Sequence, residues 1–136
     1  MDSNNILSKM STMRLDGMYS LYKNMIGSGQ CDAITNEELL TMLINAEWDN
    51  RENNRVERAL KEAKFRYQAA IENIRYDDDR GLDKSQIVRL SDCSYITQAK
   101  NILITGFTGT GKSYLASAFG HQACYNGYKV MYQNAQ

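Results

Sequence analysis

A chain of 136 residues has room for one ordinary domain, or for a small helical domain joined to part of a second. Sixteen basic and sixteen acidic side chains cancel, so nucleic-acid or membrane binding would have to come from a local patch and not from a global field. No apolar run approaches the roughly 20 residues that span a bilayer, and the polar start Asp2-Ser3-Asn4-Asn5 does not read as a signal peptide, which makes the cytoplasm the expected location.

From about Asn5 to Met25, the residues Ile6, Met10, Met13, Leu15, Met18, Leu21, Tyr22 and Met25 recur mostly at spacings of three and four. That periodicity predicts one amphipathic helix, with Gly17 weakening its middle. Gly27-Ser28-Gly29-Gln30 breaks the pattern. Thr35, followed three residues on by Glu38, fits a capping box, and a long helix to about Ala63 should follow. Leu39, Met42/Leu43, Ala46, Val56, Leu60 and Ala63 form its core face, interrupted by Asn53. A neighbouring stripe of Leu40, Ile44 and Trp48 runs on into Arg51, Arg55 and Arg58. Methionine and leucine on two consecutive helices predict a shared helix–helix core.

Residues 65–100 are irregular in pattern. Phe65-Arg66-Tyr67 and a short Ile71, Ile74, Tyr76 segment precede the turn-prone Asp77-Asp78-Asp79-Arg80-Gly81. A further helix is predicted from Leu82 to Leu90, capped by Asp83, and residues 91–100 form a connection. Asn101-Ile102-Leu103-Ile104-Thr105 reads as a strand and Tyr114 to Phe119 as the start of a helix. Asn126-Gly127 should end that helix, and Tyr128-Lys129-Val130-Met131-Tyr132 reads as a second strand. The expected fold class is therefore α/β. A helical domain over 1–66 leads into residues 67–100, a linker and the start of a second domain. The strand–loop–helix–strand opening of a P-loop parallel sheet follows at 101–136. Cys31, Cys93 and Cys124 are odd in number, widely spaced and without a CxxC pair, so reduced, partly buried thiols are expected. His121, the only histidine, reads as a helix-face residue.

The segment between the first predicted strand and its helix carries the chemistry. Gly106-Phe107-Thr108-Gly109-Thr110-Gly111-Lys112-Ser113 fits GxxxxGK[ST] at every fixed position. Its glycines allow a backbone that a Cβ would obstruct. Loop amides and the first amides of the helix can then point at phosphate oxygens, aided by the helix dipole. Lys112 is expected on the β- and γ-phosphates, and the Ser113 hydroxyl on Mg²⁺. Thr108 and Thr110 would contribute amides, while Phe107 and Tyr114 flank the loop. These residues, Gly106 to Tyr114, are the candidate nucleotide-binding set. Hydrolysis further requires an acid that holds Mg²⁺, usually ending a later strand, and no apolar run ending in Asp or Glu follows Ser113. No catalytic residue is assigned, and whether the chain is an enzyme stays open.

A candidate DNA-binding patch comprises Arg51, Arg55, Arg58, Lys61, Lys64 and Arg66, facing three acids, Glu52, Glu57 and Glu62. Such cations can track phosphates without reading bases. The bland alternative is a solvated helix surface with i,i+4 pairs such as Arg58–Glu62.

The run Ala46-Glu47-Trp48-Asp49-Asn50-Arg51-Glu52-Asn53-Asn54-Arg55, with Lys64-Phe65-Arg66-Tyr67 and Arg80-Gly81-Leu82-Asp83, resembles the IstB-like ATP-binding proteins. These are helper ATPases of bacterial insertion sequences, related to DnaC-type helicase loaders within the AAA+ group. The strand into Gly106, Gly120-His121-Gln122-Ala123-Cys124 and Gly127-Tyr128 fit the same family, so the resemblance covers essentially the whole chain. It implies an N-terminal helical domain followed by an AAA+ domain that binds ATP and Mg²⁺. It also implies a homo-oligomer that assembles on DNA and presents it to an IstA-type transposase; no membrane partner is expected, since no apolar run is long enough to span a bilayer. Phe107 stands where the family commonly has proline, and Ser113 where threonine is usual. Family members continue through Walker B, sensors and an arginine finger, and their first and second strands are not neighbours. The expectation is a truncated copy without the hydrolysis machinery. Two other readings stay open: a DnaC-like helicase loader, or a non-enzymatic helical module for DNA or protein with a vestigial P-loop.

Overall fold

The computed structural model describes residues 2–76, 81–107, 109 and 111–133. The chain divides into two compact units, Met1–Arg55 and Val56–Gln136.

The first unit opens on α1, Ser3–Thr12, whose cap Asp2 accepts a hydrogen bond from the Asn4 amide at 3.1 Å. The single helix expected to Met25 is instead two. Arg14 turns left-handed at φ 60°, and α2 restarts as Asp16–Ser28. A helix restarted there leaves orphan amides in its first turn, and Leu15 has no side chain able to cap them. The cap comes from a distant residue of α3, Asn36–Ala63. Glu47 Oε1 accepts from Gly17 N at 3.0 Å and Met18 N at 3.2 Å. Gly17 is therefore a contact point, not a weak centre: a Cβ there would stand 2.4 Å from the Ala46 carbonyl oxygen. The other oxygen of the buried Glu47 accepts from Arg51 Nε at 2.7 Å.

The predicted capping box starts α3: Glu38 N donates to Thr35 Oγ1, and Thr35 N donates to Glu38 Oε2, each at 3.2 Å. The helix ends at Ala63, as its periodicity predicts. Met25 and Leu43 are buried in the first unit. The neighbouring stripe of Leu40, Ile44 and Trp48 is exposed.

The second unit is assembled around α6, Lys112–Tyr125. Its core joins Leu115, Ala118 and Phe119 of α6 to Ala69, Ile74 and Ile87, with Tyr76, Leu82 and Ile104 packed against them. Ile87 belongs to α4, Lys84–Leu90, capped as expected by Asp83, which accepts from Ser85 N at 3.0 Å. A single turn, α5 (Ser94–Thr97), follows. α6 closes in a Schellman arrangement, with Tyr128 N donating to Ala123 O at 3.0 Å and Gly127 N to Cys124 O at 3.2 Å. Cys31, Cys93 and Cys124 form no disulfide, and Cys93 and Cys124 are buried.

The sheet differs from expectation. No strand occurs among the described residues; segments 101–105 and 128–132 run without one. A strand exists only through a hydrogen-bonded neighbour, and the amide of Tyr132 donates instead to the Ala63 carbonyl at 2.9 Å. The two runs that suggested strands alternate in burial. Ile102 and Ile104 are half-buried around an exposed Leu103, and Val130 and Tyr132 flank an exposed Met131.

Burial pushes the Glu47 carboxyl up, but the Arg51 hydrogen bond and the Met18 and Gly17 amides outweigh it and hold the group below its ordinary value of 4.5. A depressed carboxyl stabilises the fold fully above that ordinary value and loses the contribution as pH falls below it. Glu47→Gln should therefore cost about 1–2 kcal/mol at pH 7 and flatten the acid limb of stability below pH 4.5, read by urea unfolding across pH. Gly17→Ala should cost about 1–3 kcal/mol by overpacking α2 against α3, read in the same titration at neutral pH.

Candidate functional site

The glycine-rich segment turns directly into α6. Gly111 caps the helix at φ 92°, a left-handed conformation that side chains rarely adopt, and Lys112 is the first helical residue. The first intrahelical bond runs from Leu115 N to Gly111 O at 3.0 Å. The amides of Lys112, Ser113 and Tyr114 precede it and have no partner within the helix, which makes this turn suited to an anion. Lys112 Nζ donates to the carbonyl oxygen of Gly106, so the ammonium bridges the two ends of the loop. Ser113 is exposed beside it, its hydroxyl a hard oxygen of the kind Mg²⁺ accepts alongside phosphate and water. Phe107 is largely exposed. Thr108 and Thr110 lie outside the described residues.

A cavity of about 370 Å³ opens next to this turn. Gly111, Lys112 and Tyr114 form one wall, and Ile74, Leu82 and Leu115 supply apolar surface. Its size falls in the range of about 300–1,000 Å³ that small-molecule pockets occupy. Asn73, Arg75 and Leu82 line it too, although their roles were not evident in the sequence. The signal available was the set Ile71, Ile74, Tyr76 and Leu82, which reads as irregular because only Ile71–Asn73 forms a short 3-10 turn while all four pack on the core built around α6.

A second, larger hollow of about 610 Å³ lies in the same unit, where the chain leaves α3. Lys64 turns left-handed at φ 59°. Phe65 then stacks on His121 of α6, with centroids 4.1 Å apart and planes at 23°. The buried His121 ring holds the Ser117 carbonyl through Nδ1 at 2.7 Å. Tyr67 lies nearly parallel to Tyr114, at 11° and 6.3 Å. Asn73 and Tyr114 line both hollows.

The six candidate DNA cations separate by environment. Arg51 is tied to Glu47, and Arg55 to Glu52 through Nε at 3.3 Å and Nη2 at 2.9 Å. Arg58 is exposed, and the Arg58–Glu62 pair is not among the ion pairs of the described residues. Lys61, Lys64 and Arg66 are exposed and line the larger hollow. No helix among the described residues is long and apolar enough to cross a membrane.

Residues 8–136 match the family described as IstB-like ATP binding protein. The chain belongs to that family. It is 36% identical over 127 residues to y4pL of Sinorhizobium fredii (strain NBRC 101917 / NGR234), a protein named for an insertion sequence ATP-binding function, with 93% of this chain and 52% of y4pL covered. It is 35% identical over 127 residues to the similarly named protein of insertion sequence IS1162 from Pseudomonas fluorescens, covering 93% of this chain and 55% of that protein. The chain thus spans about half the length of the curated relatives it matches.

In this IstB-like chain the contact of Phe65 with α6 can be tested by crowding it. A Cβ at Gly120 would fall 2.6 Å from Phe65 Cε1. Gly120→Ala should cost about 1–3 kcal/mol through overpacking and separate the Phe65 and His121 rings, the latter visible as a loss of ring-current shift on the His121 protons.

Proposed function

We propose that the chain binds ATP with Mg²⁺ through Gly106 to Tyr114 and serves as an ATP-dependent helper of a transposase on DNA. The observation that carries this reading is the first turn of α6. Three amides without helical partners and the Lys112 ammonium converge there beside an apolar-walled cavity, in a chain of the IstB-like family. In this reading the amides take phosphate oxygens. Lys112 exchanges the Gly106 carbonyl for the β- and γ-phosphates, and Ser113 holds Mg²⁺. Ile74, Leu82 and Leu115 give a base an apolar wall.

The proposal extends to organisation. Residues 1–66 act as a helical domain ahead of an ATPase domain with a parallel sheet, in a cytoplasmic protein that assembles as a homo-oligomer on DNA with an IstA-type transposase. Strand pairing for 101–105 and 128–132 would then come from chain outside these residues, as would the acid that positions Mg²⁺ for hydrolysis. Lys61, Lys64 and Arg66 are the favoured DNA contacts, since Arg51 and Arg55 already hold carboxylates.

Removing one charged hydrogen bond to phosphate changes affinity by about ten- to a hundredfold. Lys112→Ala should weaken binding of a fluorescent ATP analogue by that factor and leave the unfolding midpoint within a few degrees of the parent; unchanged affinity would refute the site. The 136-residue chain should bind ATP without turnover, because no acid-tipped apolar run follows Ser113 within it. Sustained phosphate release from the pure chain would contradict this.

A further inference from the structure

We propose that the larger hollow is a seat for single-stranded DNA, with phosphates on Lys61, Lys64 and Arg66 and unstacked bases against the Tyr67–Tyr114 pair. The inference rests on the DNA contact proposed above and narrows it, at this hollow, to an unpaired strand.

Three observations carry it. The first is composition. One concave surface gathers three exposed cations with the rings of Phe65, Tyr67, Tyr114 and Tyr125. A groove that only tracked a duplex backbone would need the cations and not the rings, whereas strand-binding grooves combine both. The second is access. Tyr67 is 39% exposed and Tyr125 52% exposed, so aromatic faces meet solvent instead of being spent on the core. The third is shape. About 610 Å³ of concave space admits a base with its sugar and phosphate, within the range of small-molecule pockets, while a paired duplex about 20 Å across lies outside such a hollow.

The local backbone explains why the cations gather there. Lys64 follows α3 in a left-handed turn, Phe65 beyond it stacks on His121, and Arg66 and Tyr67 line the same hollow as Lys61. Among the described residues that line the hollow none is acidic.

The test uses the 136-residue chain and fluorescence anisotropy, with a labelled oligo-dT strand of about 12 nucleotides, the matching duplex, and dTMP as competitor. The strand should bind at least about tenfold more tightly than the duplex. Tyr67→Ala should weaken strand binding by about five- to a hundredfold without altering its salt dependence, and Tyr67→Trp should restore it. Arg66→Gln and Lys64→Asn should each lower the slope of log affinity against log salt by about 0.7; asparagine tolerates the left-handed turn at that position. Equal binding of strand and duplex, with Tyr67→Ala inert, would overturn the seat and leave the duplex contact standing. No binding of either DNA would overturn both. Displacement of the strand by dTMP as effective as displacement by unlabelled strand would overturn the seat in favour of a free-nucleotide pocket.

Discussion

Three backbone amides that a helix cannot satisfy for itself set the terms for the second unit. They stand at the start of α6 because Gly111 accepts a left-handed turn and the chain enters the helix at once. The same helix then buries Leu115, Ala118 and Phe119 in the core, so the turn is held from behind by apolar packing. A loop of this kind gains its directionality from that support. The amides keep their aim because the helix they belong to cannot roll without exposing its core side chains.

The first unit is organised by the opposite device, a charge brought inward. Glu47 caps α2 from the middle of α3 and binds Arg51 with its second oxygen. One carboxylate thereby fixes where α2 begins, how closely α2 approaches α3 at Gly17, and how one arginine is engaged. The Ala46-Glu47 pair within the family-like run thus has a structural task, and the run serves the architecture of the first unit as well as its surface.

How much of this was legible in the sequence follows from the range of each interaction. Thr35 with Glu38, Asp83 with Ser85 and Gly127 after α6 are local signals, and each marks its helix end where the structure has it. The break between α1 and α2 was not legible, since its cap lies about thirty residues away. The two predicted strands kept their alternating burial but not their identity, because pairing requires a partner that residue pattern alone does not supply. The glycine-rich motif was read from spacing. The hollow beside Tyr67 was not, because it exists only once Lys64 turns and Phe65 finds His121. Arg51 and Arg55 of the candidate DNA patch each hold a carboxylate, a pairing that a charge count does not show.

Tyr114 is the first residue after Ser113, and with Asn73 it is a partition common to two chambers. Its hydroxyl oxygen accepts from the Ala70 amide at 3.5 Å, and its ring faces Tyr67. A party wall cannot be moved from one side alone. Any occupant of the smaller chamber that shifts this ring changes the welcome offered by the larger one, and thermodynamic reciprocity makes the influence equal in the other direction. What stands between the two chambers at this point is the thickness of one phenol.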